Sequence, residues 1–211
     1  MNQLTWAKND ATNFIDRKLD GPLRVRVEPK GDRIKKFGFF TQSTPSDEKE
    51  FVKPLIDCPA DVWLMLYNKL KQHNDIMIEV YNVAEDRFSL EMQLVGKYDF
   101  YKNTVAEQYW WTDVKGKTKI VTTMYEKIVA LINSSKQLEH EGKIFIHNDI
   151  SHTNMIWHND KLHLIDVDSW WLVDKTGWHI DHSNEYLQEF YDWVGEQYNT
   201  LGLGQIKNVY F

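Results

Sequence analysis

Short apolar runs separated by turn-forming residues dominate the chain between residues 20 and 59. The β-prone runs are Leu23–Val27, Phe37–Thr41 and Glu50–Leu55. All five prolines lie between residues 22 and 59, among Gly, Asp and Ser residues that favour turns. This pattern predicts short strands joined by tight turns.

Helical spacing of apolar residues begins directly after Pro59. The apolar positions of that helix are Val62, Met65, Leu66 and Leu70. Two more strand-like runs follow it, Ile76–Val83 and Arg87–Val95. Residues 1–96 are therefore predicted to form a small β-rich part with one helix, with a seam at Gly96-Lys97.

The second half of the chain is predicted to be mostly helical, with a small hairpin. Apolar residues from Ile120 to Leu138 share one face of a helix that Gly142 is expected to end. Three β-prone runs follow, Lys143–His147, Met155–Trp157 and Leu162–Ile165. The last two are joined through Asn159-Asp160, a pair that suits a tight hairpin turn. Residues 184–199 predict a final aromatic-rich helix capped by Ser183.

Composition narrows the class of protein. Of the 211 residues, 42% are hydrophobic and 14% aromatic, enough for a packed core rather than a disordered chain. The net charge of −6 argues against a general nucleic-acid or anionic-membrane binder. Cys58 is the single cysteine, so no internal disulfide is expected. No apolar run approaches the ~20 residues of a membrane span, and the first residues lack a secretory signal. We expect a soluble, cytoplasmic protein without membrane contact.

The most informative stretch is Ile144–Trp171, in which acidic and amide residues follow predicted strands. Asp149 and Asn154 lie five residues apart on one loop, and Asp166 comes directly after the next hairpin. Transfer of a γ-phosphoryl group needs one carboxylate to take the acceptor proton, and further oxygens to hold Mg²⁺. Amide and carboxylate oxygens suit such a hard cation. The pattern therefore predicts phosphoryl-transfer chemistry.

This stretch resembles the catalytic loop of protein kinases, H-R-D-x-x-x-x-N, followed by the Asp that opens D-F-G. His147, Asp149 and Asn154 match the His, Asp and Asn of the loop, and Asp166 matches the metal-binding Asp. Asn148 replaces the Arg that many eukaryotic protein kinases carry, so control by a phosphorylated activation loop is not expected. Val167-Asp168 replaces Phe-Gly, and Ser151 replaces the loop Lys.

With these departures the stretch is more similar to the atypical kinases, namely the RIO family and the aminoglycoside phosphotransferases. The resemblance implies an α+β, two-lobed, protein kinase-like fold, with residues 1–96 as the small lobe and 97–211 as a truncated, mostly helical lobe of the same single domain. Only 43 residues follow Asp168, too few for the full helical subdomain of ordinary protein kinases. In having so short a segment after the metal-binding Asp, the chain resembles minimal kinases, including those encoded by viruses and phages.

The resemblance also implies roles for individual residues. Asp149 would be the catalytic base, with Asn154 and Asp166 as ligands of Mg²⁺, or of Mn²⁺ as the alternative cation. Asp168 is a further candidate ligand, because two residues along a strand share a face. His147 would support the loop rather than transfer protons.

ATP is the implied phosphoryl donor, and candidate contacts to it lie in the N-terminal part. Lys53 resembles the lysine of V-A-I-K that binds the phosphates, and Gly38 would end the phosphate-covering loop 31–37. The backbone of Gln93 and Val95 would meet adenine. The glutamate that usually pairs with the lysine is missing, since Leu64 stands near its position.

Two alternatives to an active kinase remain open. The first is a pseudokinase that keeps the fold and serves as a nucleotide-binding or regulatory module. The second is a metal-dependent phosphohydrolase built on the histidines, seven of which lie between His140 and His182. The acceptor is equally open, between a protein Ser/Thr side chain and a small-molecule hydroxyl, and the chain could work within a protein complex.

Overall fold

A computed structural model describes the backbone of residues 15–18, 23–40, 55–96 and 104–211. Side chains are described for residues 31–36, 55–96 and 104–211. Within these ranges no helix combines the length and apolar character that crossing a bilayer requires.

A five-stranded antiparallel sheet forms the N-terminal part of the described chain. Its strands are β1 (Ile15–Lys18), β2 (Leu23–Lys30), β3 (Arg33–Phe40), β4 (Val80–Val83) and β5 (Ser89–Gln93). They lie in the order β1-β2-β3-β5-β4, and helix α1 (Ala60–Lys71) comes between β3 and β4 in the chain. The tight β2–β3 turn uses Gly31 at φ +66°, a left-handed backbone that glycine adopts without strain.

The C-terminal part combines three helices with two small sheets. Its elements are α2 (Val105–Trp111), α3 (Val114–Lys136), β6 (Glu139–His140), β7 (Lys143–His147), β8 (Met155–His158), β9 (Lys161–Leu164), β10 (Trp170–Val173) and α4 (Trp178–Thr200). The strands form a sheet of order β10-β7-β6 and a separate β8–β9 hairpin.

Strand β7 is buried on both faces and lies at the centre of this part. On one face Ile144 and Ile146 join a core cluster with Val173 and Ile180. On the other face the Phe145 ring stacks on Trp170, with 5.3 Å between the ring centroids. A strand that is covered on both faces is expected to carry consecutive apolar residues, and in β7 these are Ile144, Phe145 and Ile146.

The chain divides into two compact units. One comprises Met1–Leu64 with Glu79–Leu94, and the other comprises Met65–Ile78 with Val95–Phe211. The α+β class is confirmed, with a β-rich N-terminal unit that includes the start of one helix and a mostly helical C-terminal unit. Treating 1–211 as a single functional domain stays a prediction.

Several local predictions are confirmed. Helix α1 begins directly after Pro59, and β7 has the predicted bounds. The β8–β9 turn places Asn159 and Asp160 at φ +50° and +61°. Both residue types tolerate this left-handed conformation, which the tight hairpin requires at both central positions.

Other predictions about boundaries are wrong. Helix α3 ends at Lys136 with Gln137 as its cap, while Gly142 (φ +79°) forms the β6–β7 turn instead. Helix α4 begins at Trp178, so Ser183 lies inside the helix rather than at its cap. The sequence analysis does not predict strands β1, β6 and β10 or helix α2, because their short, mixed sequences carry no clear period. Most of the predicted strand Glu50–Leu55 lies outside the described residues.

Cys58 is buried, and this burial, together with the charge of Asp57, raises the pKa of its thiol to about 12. The thiolate is the reactive form, so the shift from 9.0 predicts that a disulfide reagent at pH 8 modifies the folded chain about 10³-fold more slowly than the urea-unfolded chain. In the unfolded chain the thiol loses its proton near pH 9, whereas in the folded chain it keeps the proton to about pH 12. Ionisation therefore favours the unfolded state, and the free energy of unfolding falls as the pH rises above 9. Equal modification rates with and without urea would contradict this assignment.

Candidate active site

Strands β7 and β10 place two loops at the same end of their antiparallel pair. The register sets His147, the last residue of β7, opposite Trp170, the first residue of β10. The backbone N–H of Asn148 then donates to the carbonyl of Ser169 at 2.9 Å. The loop that follows β7 and the turn that precedes β10 are therefore adjacent, although about twenty residues separate them in the chain.

His147 ties the two loops together through both ring nitrogens. Its Nδ1 accepts from the backbone N–H of Asp149, and its Nε2 lies 3.1 Å from the carbonyl oxygen of Asp166. Because Nδ1 is an acceptor, the proton is assigned to Nε2, which donates to Asp166. The ring is buried and contacts Trp170 edge-on. These contacts fix the position of the ring between the two loops, and the supporting role of His147 stays a prediction.

Asn154 is held against Asp149 by two hydrogen bonds. Its Nδ2 donates to the carbonyl oxygen of Asp149 at 3.1 Å and to the carboxylate Oδ2 at 2.8 Å. Ser151 caps the intervening 3-10 turn His152–Asn154 by accepting from the N–H of Thr153. Since the amide nitrogen is used on Asp149, the amide oxygen of Asn154 is the atom suited to a cation.

Asp166 is brought beside this pair by the β8–β9 hairpin. The backbone N–H of Ile165 donates to the carbonyl of Asn154 at 3.0 Å, which closes the hairpin at its open end. The carboxylate Oδ2 of Asp166 accepts from Ser169 Oγ at 2.5 Å. Asn154 and Asp166 therefore present an amide and a carboxylate from neighbouring backbone positions, a donor set that fits Mg²⁺ or Mn²⁺.

Contrary to what their spacing predicts, Asp166 and Asp168 do not share the face of a strand, because the chain leaves the strand at Leu164. Residues Val167–Ser169 form a 3-10 turn, in which residues three apart lie over one another and residues two apart do not. Ser169 is the residue that reaches the Asp166 carboxylate. The role of Asp168 as a metal ligand stays a prediction.

The candidate nucleotide contacts are described in part. Gly38 lies in β3 opposite Val25, and residues 33–37, expected as a phosphate-covering loop, are paired in the same strand. The backbone N–H of Gln93 donates to the carbonyl of Glu79 at 2.8 Å. Val95 is buried, and Lys53 lies outside the described residues. Contacts of these four residues with ATP stay predictions.

Ser183 is a supporting residue whose role the sequence analysis missed. Its Oγ donates to the carbonyl of His147 at 2.9 Å from inside α4, and the side chain is buried. This bond attaches the start of the loop that follows β7 to a residue of α4 that lies 36 positions further along the chain. The Ser before an aromatic-rich run was interpreted as a helix cap, since that is the commoner local use of serine.

Replacing Ser183 with alanine is expected to lower the free energy of unfolding by about 1–3 kcal/mol, because the variant loses the buried hydrogen bond from Ser183 Oγ to the His147 carbonyl. Ser134→Ala is the matched control. Its Oγ donates to Ala130 within α3 at an exposed position, so the same substitution leaves no buried group unpaired. Urea unfolding measures both variants, and equal stabilities would remove Ser183 from this role.

An open cavity of about 180 Å³ lies on the outer side of Asp149. Its walls are residues 149–153 of the loop together with Tyr186, Glu189 and Phe190 of α4. Burial, followed by the charges of Asp149 and Glu189, raises the pKa of Tyr186. Burial lowers the pKa of His152, whose ring stacks on Trp193 at 4.5 Å. Both shifts favour the uncharged forms of Tyr186 and His152, and the acidic residues in the described lining are Asp149 and Glu189.

The histidines proposed for a metal-dependent phosphohydrolase make other contacts. His152 stacks on Trp193, and His182 stacks on Trp178. Within the described residues, no group of three or more His, Cys, Asp or Glu side chains lies close enough to hold a metal ion.

No protein-family model matches the sequence, and no curated protein matches it. Among solved structures, the Cydia pomonella granulovirus kinase PK-1 aligns at 15% identity with a TM-score of 0.38, over 74% of this chain and 54% of that one. Choline kinase LicA from Streptococcus pneumoniae aligns at 12% identity with a TM-score of 0.39, over 89% and 74%. The chain thus spans about half the length of the granulovirus kinase.

Proposed function

We propose that this chain is a phosphotransferase that moves the γ-phosphoryl group of ATP to a hydroxyl acceptor, in the manner of an atypical Ser/Thr kinase. The observation that carries the proposal is the hydrogen-bonded unit of Asp149, Asn154 and Asp166. Asn154 binds Asp149 through its side chain and Ile165 through its backbone, while His147 contacts the backbone of both aspartates. Turn residues that served structure alone would not need this shared orientation.

Asp149 serves as the base in this proposal. Its carboxylate, held through Oδ2 by Asn154, takes the proton of the acceptor hydroxyl. The acceptor oxygen bonds to the γ-phosphorus, the bond from that phosphorus to the bridging oxygen breaks, and ADP leaves. The cavity beside Asp149 is where the hydroxyl would approach.

Asn154 and Asp166 would hold the metal ion through the amide oxygen and the carboxylate. Mg²⁺ bound there would offset the negative charge of the transferred phosphoryl group. Ser169 keeps the Asp166 carboxylate oriented by its donated hydrogen bond, and His147 keeps the backbone of Asp166 in place. Lys53, from the resemblance, would contact the phosphates.

A pseudokinase is the second candidate, favoured by the composition of α1. That helix contains no glutamate, and Leu64 stands where the partner of the phosphate-binding lysine is expected. Asp61 is its one carboxylate, in the first turn, where an acid also interacts favourably with the helix dipole.

Incubation with γ-labelled ATP separates these candidates. Label is followed on the protein, on added hydroxyl acceptors and as free phosphate, with Mg²⁺, Mn²⁺ or a chelator present. Metal-dependent transfer or release of label supports the phosphotransferase. No turnover, with ATP still raising the thermal unfolding temperature, supports the pseudokinase. No turnover and no nucleotide binding would overturn both.

A further inference from the structure

We infer that the acceptor hydroxyl is carried by a positively charged, extended peptide segment, which binds the cavity beside Asp149 and the adjoining surface of α4. The inference rests on the proposed function and names its substrate class. The cavity supplies the first observation: among the eight lining residues that the structure describes none is Lys or Arg, while Asp149 and Glu189 are acidic. This part of the lining favours a cationic acceptor over an anionic one.

The surface that continues from this cavity is strongly acidic. Helix α4 has 23 residues and contains no Lys or Arg. All five of its acidic residues are exposed, and at 3.6 residues per turn they fall within an arc of roughly 80°. We call them the acidic face: Asp181, Glu185, Glu189, Asp192 and Glu196.

Repulsion within the acidic face opposes the stability of α4 beyond its first turn, where Asp181 interacts favourably with the helix dipole. Like charges four residues apart, as at Asp181–Glu185 and Glu185–Glu189, destabilise a helix. An acid near the C-terminal end, such as Glu196, also opposes the helix dipole. Among the described residues, the ion-pair partner of Glu185 is His182, at 3.6 Å, and Asp192 accepts from Gln188. A cationic ligand along this face would offset the repulsion.

Aromatic side chains border the acidic face on the side of the cavity. His182 stacks on Trp178, and Tyr186 contacts His182 edge-on, each with 4.7 Å between ring centroids. The Trp178 ring is 64% exposed. Lys and Arg side chains bind well where an aromatic face lies next to a carboxylate.

The length of the acidic face favours a peptide over a small cationic alcohol. Fifteen residues separate its ends, which is about 22 Å at 1.5 Å per residue. An extended peptide of about six or seven residues covers this distance. Glu189 belongs both to the face and to the cavity wall, so a bound peptide would bring its hydroxyl toward Asp149.

The test uses three peptides with the same central serine and with Arg, Gln or Glu at the flanking positions. Label transfer from γ-labelled ATP is expected to give kcat/KM about tenfold higher for the Arg peptide than for the Gln peptide, and lowest for the Glu peptide. Glu189→Lys is expected to raise KM for the Arg peptide about tenfold and to leave little difference from the Gln peptide. Glu126→Lys, exposed on α3, makes the same charge change and is expected to keep the preference.

Binding is measured separately from chemistry, so that the two proposals can fail independently. A fluorescent Arg peptide with alanine in place of serine is titrated against wild type and both variants by anisotropy. Binding that Glu189→Lys abolishes, without label transfer to any acceptor, supports the peptide surface and overturns the proposed function. Transfer with equal efficiency to all three peptides, or to a small amino alcohol alone, supports the proposed function and overturns this inference.

Discussion

Asp149→Asn is expected to lower the rate of phosphoryl transfer about 10²–10⁴-fold, the usual contribution of a positioned general base. The substitution keeps the shape of the side chain and an oxygen that can accept from Asn154 Nδ2, so the loop should retain its conformation. The free energy of unfolding should therefore stay within about 1 kcal/mol of the wild type. Label transfer to the best acceptor and urea unfolding give the two measurements.

Asp160→Asn provides the matched control for this variant. Asp160 lies in the β8–β9 turn at φ +61°, a conformation that asparagine also tolerates, and its carboxylate pairs with Lys119 at an exposed position. Its activity should stay close to the wild type. If Asp149→Asn also kept more than about a tenth of the rate, Asp149 would not be the base.

Asp166→Asn is expected to reduce turnover about 10²–10³-fold and to raise the Mg²⁺ concentration needed for half-maximal rate, because the variant loses the charged ligand. The amide oxygen can still accept from Ser169 Oγ, so the 3-10 turn should persist. The measurement is a Mg²⁺ titration of the rate, with the Mg²⁺-dependent rise in thermal stability by ATP as a second readout.

The metal dependence distinguishes Asp166→Asn from Asp149→Asn, which should leave the half-maximal Mg²⁺ concentration almost unchanged. Asp174→Asn is the control, since its carboxylate is exposed and lies 3.8 Å from Lys143. A normal Mg²⁺ requirement in Asp166→Asn would move the metal ligand to another residue, with Asp168 as the next to replace.

Strand β7 and the β8–β9 hairpin of the C-terminal part can be predicted because their signals are local. Strand β7 contains one continuous apolar run, Ile144–Ile146, with a polar residue at each end. The β8–β9 turn follows from the conformational tolerance of Asn159 and Asp160. Spacing alone placed Asp149 and Asn154 on one loop. The side-chain contacts between them could not be predicted, since they depend on the 3-10 turn at His152–Asn154.

The N-terminal prediction failed where pairing between distant strands decided the structure. The resemblance to kinases predicts a phosphate-covering loop that includes residues 33–37. In the structure they pair with β2 on one side and with β5, more than fifty residues later, on the other. Cross-strand hydrogen bonds and neighbouring side chains set the conformation of such a segment more than its own propensity does.

The sequence by itself determined which chemical groups are available and how far apart they lie along the chain: the carboxylates, the amide and the loop that bears them. Only the tertiary structure decided how these groups are held, through the β7–β10 register, the two contacts of His147 and the hydrogen bond from Ser183. Hairpins and helices form from neighbouring residues, so their patterns are written locally. Contacts between segments 19 or 36 residues apart depend on how whole elements pack, which no single local pattern specifies.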